Sequence, residues 1–238
     1  VTVPDNVAWL HGYVASWYKA NSPMRYPQLY GTAIRVDSDD FIHFDNPTEL
    51  PVLQKTSVST DNRFFPSRDA APNVAFIMTE LRAKGWLDGT VGMEHWGYIP
   101  NRAVGTMLEG AFLAEGCRVV DASALVRRAR LVKSPAEIAY IEKAVELADL
   151  GHRTVVDLAR PGMTELEVYG ETLRAMMAAG SESPALVHSF NACPVRDGRA
   201  VGAGHAMMGR KKIRPGEFLK IDICGVYQER RDAVVVGL

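Results

Sequence analysis

GAGHAMMGRKKIRPGEFLKIDICGVYQERRD, residues 202–232, is the stretch on which the reading of this chain turns. His205 sits behind a Gly-rich approach, Gly202-Ala203-Gly204, and a basic, turn-forming run leads to Arg214-Pro215-Gly216-Glu217. Residues 218–224, FLKIDIC, alternate in polarity and are rich in β-branched and aromatic side chains, so they predict a strand. Asp222 is the one acid inside it. An acid in that position is paired, exposed on a polar face, or a metal or catalytic ligand.

The remaining sequence narrows those choices. At 238 residues the chain can hold one large domain or two ordinary ones. A hydrophobic content of 47% with 23% charged residues is ordinary for a globular protein. The net charge of −1, from 27 basic and 28 acidic residues, gives no electrostatic case for nucleic acid or a membrane surface. Cys117, Cys193 and Cys224 have no metal-type spacing and point to a reducing, cytoplasmic setting. No apolar run approaches the ~18 residues of a membrane span, and no signal peptide opens the sequence. Val1 stands in mid-structure and residues 233–238, AVVVGL, form an apolar strand-like run, so a piece of a longer protein is expected.

Taken in order, an apolar segment at residues 7–10 precedes a loop punctuated by Pro23 and Pro27. Two strands bracket the turn Asp37-Ser38-Asp39-Asp40, and residues 45–72 read mainly as loop. His11 and His43 lack ligand-type neighbours in sequence and read as structural. An α/β rhythm follows: a helix capped by Asn73 and ending at Gly85, a strand at 91–94, a helix through Val104, Met107, Leu108 and Phe112, and a strand at 117–121. That spacing predicts a parallel pair with a crossover helix. Glu94-His95 reads as a loop-facing pair. After an Arg-rich helical link at 123–133, Ser134-Pro135-Ala136-Glu137 and Thr164-Glu165-Leu166-Glu167 are capping boxes opening two scaffold helices. The first should bury Ile138, Ile141, Val145 and Ala148, and the second Leu173, Met176 and Met177.

The residues 119–121 (VVD), the phrase RLVKSPAEI at 130–138, PGMTE at 161–165 and PGE at 215–217 leading to Asp222 together resemble the creatinase / Xaa-Pro aminopeptidase / methionine aminopeptidase family. The resemblance implies an α/β chain: a creatinase-type N-terminal α/β domain at 1–125, followed at 126–238 by the first half of a pita-bread catalytic domain. In the aminopeptidase members a substrate-site histidine precedes the first metal aspartate by the interval that separates His205 from Asp222, and Tyr227 matches a tyrosine five residues on. The second metal aspartate falls at the register of Ala233, with Asp232 one residue short. In metal-free creatinases the first aspartate is replaced and the histidine is kept for proton transfer. The family's other ligands, a histidine and two glutamates, would lie beyond Leu238.

The resemblance therefore implies a hydrolase cleaving a peptide or amide C–N bond in a small substrate, as a homodimer, with His205 catalytic. Asp222 and Asp232 would bind a divalent metal, with two manganese or cobalt ions in view. Such ions polarise a carbonyl and lower the pKa of a bound water. Alternatives are a metal-free creatinase-like hydrolase of a small guanidino or cyclic amidine compound, favoured by Ala233 and disfavoured by Asp222, and a non-catalytic binder of peptides or proteins. Each ion wants about 4–6 donors and one aspartate supplies at most two. Residues 1–238 alone are accordingly predicted to be inactive and to bind divalent metal weakly. Calorimetric titration with manganese or cobalt, beside an Xaa-Pro peptide assay, checks this, and tight stoichiometric binding with turnover would overturn it.

Overall fold

A computed structural model describes residues 1–13, 29–97, 99–182, 189–202, 208–227 and 234–237, the last four by their backbone. The loop expected through Pro23 and Pro27 lies outside these residues. The described residues pack as two compact α/β units, one up to Val132 and the other from Lys133 onward.

In the first unit, α1 (Pro4–His11) starts on a proline, tolerated in a first turn, and stops at Gly12, whose φ of +79° suits only a residue without a Cβ. Strands β1 (Gly31–Ile34) and β2 (Phe41–Asp45) are antiparallel around the expected turn, and β3 (Asn62–Phe64) pairs parallel to β2. Then come α3 (Ala70–Ala83), β4 (Thr90–Met93), α4 (Arg102–Ala114), β5 (Arg118–Asp121) and α5 (Ser123–Ala129). β4 and β5 are parallel with α4 as their crossover, as the rhythm predicts. Val104, Leu108 and Phe112 on α4 and Ile77 and Leu81 on α3 join Phe44 in one buried cluster. Met107 faces outward, one residue off the buried stripe.

Three readings of this unit change. Residues 45–72 hold a short helix, α2 (Leu50–Thr56), as well as β3. Pro51 is compatible with a first turn, and Leu53 alone is buried, so no apolar periodicity announces the helix. Asn73 is inside α3, where its buried amide binds both the N–H and the C=O of Ser67, and the N-cap position falls to Asp69. Glu94 is buried and not loop-facing: its carboxylate accepts from Thr2 N at 2.6 Å, Val3 N at 2.8 Å and Asn6 Nδ2 at 2.6 Å.

The second unit opens with α6 (Pro135–Leu158) and α7 (Glu165–Ala178), each begun by the expected capping box at Ser134 and Thr164. Strands β6 (Ser189–Cys193) and β9 (Phe218–Asp222) pair antiparallel, β7 (Val195–Arg196) and β8 (Arg199–Ala200) form a tight hairpin, and β10 (Cys224–Tyr227) pairs antiparallel with β11 (Val234–Gly237). The single strand expected over 218–224 is thus broken at Ile223, whose buried side chain packs toward Gly151 and Met176 of the helices. The buried stripe of α6 is Ala144, Leu147, Ala148, Gly151 and Val155, whereas Ile138 is exposed; on α7 Met176 is buried and Met177 is not.

Small residues let β10 lie directly on α6. A methyl on Gly225 would stand 2.0 Å from the Ala144 carbonyl oxygen and 2.9 Å from Ala148 N, which are helix backbone and cannot yield. On Gly151 it would meet Met176 Sδ at 2.7 Å, the end of a flexible side chain, and on Gly170 of α7 nothing within 4 Å. Urea unfolding should therefore rank the alanine variants. Gly225→Ala is expected to cost about 3 kcal/mol or more and Gly151→Ala about 1–2 kcal/mol. Gly170→Ala should stabilise by up to about 1 kcal/mol.

Candidate functional site

The β6–β9 ladder divides its side chains cleanly. Its register sets Ser189 opposite Asp222, Asn191 opposite Lys220 and Cys193 opposite Phe218. Alternation sends Phe190, Ala192, Leu219 and Ile221 to one side, where they join Val155, Val168 and Met176 in the core. Ser189, Asn191, Cys193, Lys220 and Asp222 share the other side. Asp222 is half-buried at the last position of β9, next to the break at Ile223, and takes part in no ion pair among the described residues. Burial first, and Asp222 second, push the Cys224 thiol above its ordinary pKa. Cys224 itself is buried packing, as are Cys117 and Cys193, and all three are free thiols.

The chain entering the Gly-rich approach crosses this polar side. A Cβ on Gly202 would fall 2.0 Å from Cys193 Sγ and 2.7 Å from Asn191 Oδ1, so any larger residue must displace one of these side chains. The Cys193 thiol donates to Asn191 Oδ1 at 2.6 Å, fixing the two against each other. The structure thus brings Gly202, Asn191, Cys193, Ser189 and Asp222 together. His205 and Asp232 lie outside the described residues.

Two charged residues that sequence reasoning passed over build the frame of the site. Glu165 reads as a first-turn acid of α7, yet its buried carboxylate accepts from Ala192 N at 2.7 Å and Gly209 N at 2.9 Å, tying β6 to the segment that leads into β9. Lys211 donates to the Ala192 carbonyl and, at 2.7 Å, to Glu217 Oε1. Lys211, and then the Arg214 N–H, hold the Glu217 carboxyl below the usual carboxylate range. No local pattern marks Glu165, because both of its partners are distant backbone groups. The β7–β8 hairpin did carry a signal, Asp197-Gly198, whose φ of 49° and 72° are those of a tight type I′ turn.

An 810 Å³ cavity in the first unit, between β1 and β4, is walled largely by apolar residues such as Phe44, Leu81, Trp86 and Phe112. Its one buried acid, Glu94, is committed to the Thr2–Asn6 segment.

Residues 139–231, which carry this polar side, match the profile of metallopeptidase family M24. Ectoine hydrolase of Halomonas elongata is 26% identical over 248 residues, covering 96% of this chain and 57% of the relative. Xaa-Pro dipeptidase of Pyrococcus horikoshii is 31% identical over 117 residues, 48% of this chain and 32% of the relative. Among solved structures, the prolidase from Pyrococcus horikoshii superposes with a TM-score of 0.68 at 19% identity, over 95% of this chain and 55% of the prolidase. The dipeptidase PepE from Mycobacterium ulcerans gives 0.66 at 21%, with the same coverage. The chain therefore has the mixed α/β fold of the prolidases, as the resemblance implies, and spans about half their length.

The matching profile is that of a metallopeptidase family, and a divalent ion needs several converging donors. Among the described residues no three His, Cys, Asp or Glu side chains converge on a point. Asp222 has the hard oxygen donors that suit a divalent cation, but alone it does not make a site. The described residues do not by themselves fit a resident ion.

The Gly202–Cys193 contact makes a specific prediction. Gly202→Ala should destabilise the second unit by about 1–3 kcal/mol, because the new methyl displaces either the Cys193–Asn191 pair or the approach segment. Removing the sulfur in Cys193→Ala should make the same glycine change cheaper, and a double-mutant cycle in urea measures that coupling.

Proposed function

We propose that the whole protein is an M24 hydrolase that cleaves a C–N bond in a small peptide or amide-type substrate. The observation that carries this is the shared polar side of β6 and β9. It presents Asp222 away from the core and in no ion pair with Arg214 or Lys220, with Gly202 against Cys193 and Asn191 on the same side. In this reading His205 moves the proton to or from the reacting group. Asp222, with Asp232, contributes to an ion site completed by residues outside those described, with manganese or cobalt as the ions. Residues 1–125 serve as the creatinase-type N-terminal domain and 126–238 as the first half of the catalytic domain. The homodimeric state rests on the resemblance, and the reducing, cytoplasmic setting on three buried free thiols. No described helix is long and apolar enough to cross a membrane.

The leading substrate class is an Xaa-Pro peptide, supported by the names of the Xaa-Pro dipeptidase and prolidase relatives. One observation favours a second reading, hydrolysis of a cyclic amidine such as ectoine. The match to ectoine hydrolase runs along 96% of this chain, whereas that to Xaa-Pro dipeptidase covers 48%.

Parallel assays of the full-length protein on an Xaa-Pro dipeptide and on ectoine separate the two. His205→Ala should lower turnover of the accepted substrate by about 10²–10⁴-fold. Asp222→Asn should lower turnover and raise the concentration of added divalent metal needed to support it. Unchanged turnover in His205→Ala would sink the assignment of His205, and turnover of ectoine alone would replace the peptidase reading by the second one.

A further inference from the structure

Far from that polar side in sequence, the first unit holds a chain of five polar side chains, four of them buried. Ser57 Oγ is 2.8 Å from His11 Nδ1, and His11 Nε2 is 2.9 Å from Thr32 Oγ1. Thr32 Oγ1 is in turn 3.1 Å from His43 Nδ1, and His43 Nε2 is 3.4 Å from Asp45 Oδ2. His11, Thr32, His43 and Asp45 are all at most 3% exposed. The chain links α1 to β1, β2 and the segment after α2. Nothing in the proposed hydrolysis uses it.

Thr32 decides how the chain works, because a hydroxyl has one hydrogen to give. With Asp45 ionised, His43 donates from Nε2–H to the carboxylate, which leaves His43 Nδ1 bare and in need of the Thr32 hydrogen. Thr32 then has only a lone pair for His11, so His11 donates from Nε2–H and its bare Nδ1 takes the Ser57 hydrogen. Ser57 Oγ completes the sequence by accepting from Ser59 N at 2.9 Å. Every hydrogen points toward Asp45, whose other oxygen accepts from Asn46 N at 2.7 Å. A proton added to His43 makes Nδ1 a donor and reverses the Thr32 hydroxyl. It thereby switches His11 from the Nε2–H to the Nδ1–H tautomer.

We propose that Asp45, His43, Thr32, His11 and Ser57 form one polarised relay that latches α1 onto the β1–β2 pair while both imidazoles are neutral and releases it on acidification. Among the described residues, the titratable and charged groups around it include the Val1 ammonium, which donates to the Thr32 carbonyl at 2.8 Å. Tyr13 stacks on His11 and lies tilted 4.9 Å from the His43 ring, Tyr30 lies 6.3 Å from the His43 ring, and the phenol of Tyr30 is held protonated first by burial and then by Asp45, Asp5 and Glu94. The Phe41 ring packs on His11 at 5.5 Å. Burial, and secondarily His43, lower the His11 pKa from 6.5 to about 4. The unfolded chain therefore takes up this proton at a higher pH than the folded one. The latch is at full strength above pH 6.5 and weakens as pH falls toward 4, by about tenfold in its closing constant per pH unit.

Imidazole ¹⁵N spectra of the 238-residue chain test the relay directly. At pH 7.5 both rings should be Nε2–H tautomers, and as His11 takes up its proton the His43 ring signals should change with it. Thr32→Val should uncouple them and Thr32→Ser should restore the coupling, while protection of the α1 amides falls between pH 6.5 and 4 in the unmodified chain. Independent titration of the two rings, a His11 Nδ1–H tautomer at pH 7.5, or coupling that survives Thr32→Val would overturn the proposal. The tautomers are read in the unmodified chain, so the first two outcomes do not depend on any variant folding.

Discussion

The second unit depends on one two-sided pair of strands. Because side chains alternate along a strand, the β6–β9 register that buries Phe190, Ala192, Leu219 and Ile221 also commits Ser189, Asn191, Cys193, Lys220 and Asp222 to the opposite side. A slip of one residue would carry Asp222 into the core among Val155 and Met176, where an unpaired carboxylate costs several kcal/mol. Hydrophobic burial thus aims the acid. The break at Ile223 then ends the β6 pairing immediately after Asp222, leaving it at the last position of the strand while the next strand joins β11.

That arrangement survives only because the surrounding backbone is pinned. Glu165 holds two segments of the site frame by accepting from Ala192 and Gly209, and Lys211 adds a second tie at the Ala192 carbonyl. A carboxylate buried against backbone N–H groups is worth more than its neutral counterpart, since charge-assisted bonds are stronger and their loss strands donors out of water. Glu94 applies the same solution in the first unit, to Thr2, Val3 and Asn6. In both places an acid that could pass for a catalytic group is spent on the fold.

What was legible in the sequence was what short-range chemistry decides. The capping boxes at Ser134 and Thr164 are local hydrogen-bond patterns and start helices where they stand. The β4–α4–β5 crossover follows from periodicity and from the glycine that ends α4's turn at residue 116, with a φ of 85°. The strand around Asp222 was visible for the same reason, though its division at Ile223 was not, because the division is set by contacts with Gly151 and Met176. Glu165, Glu94 and the α2 helix escaped for a common cause. Their partners are distant in sequence, and a single residue such as Leu53 gives no periodic signal.

His11 and His43 show how far a correct structural reading can still fall short. Reading them as structural is right in burial and says nothing of the hydroxyl between them. A histidine in an apolar surrounding is usually satisfied by one carbonyl or one water, and its tautomer is then a private matter. Here Thr32 makes it a shared one, because its single hydrogen cannot serve both rings. The polarity of five side chains consequently follows from one carboxylate, Asp45, at the end of β2. Networks of this kind are all-or-none in their satisfaction: replacing one member strands its buried neighbours. The Ser57–Asp45 chain thus couples four separated segments through proton positions, which residue types and spacing cannot record.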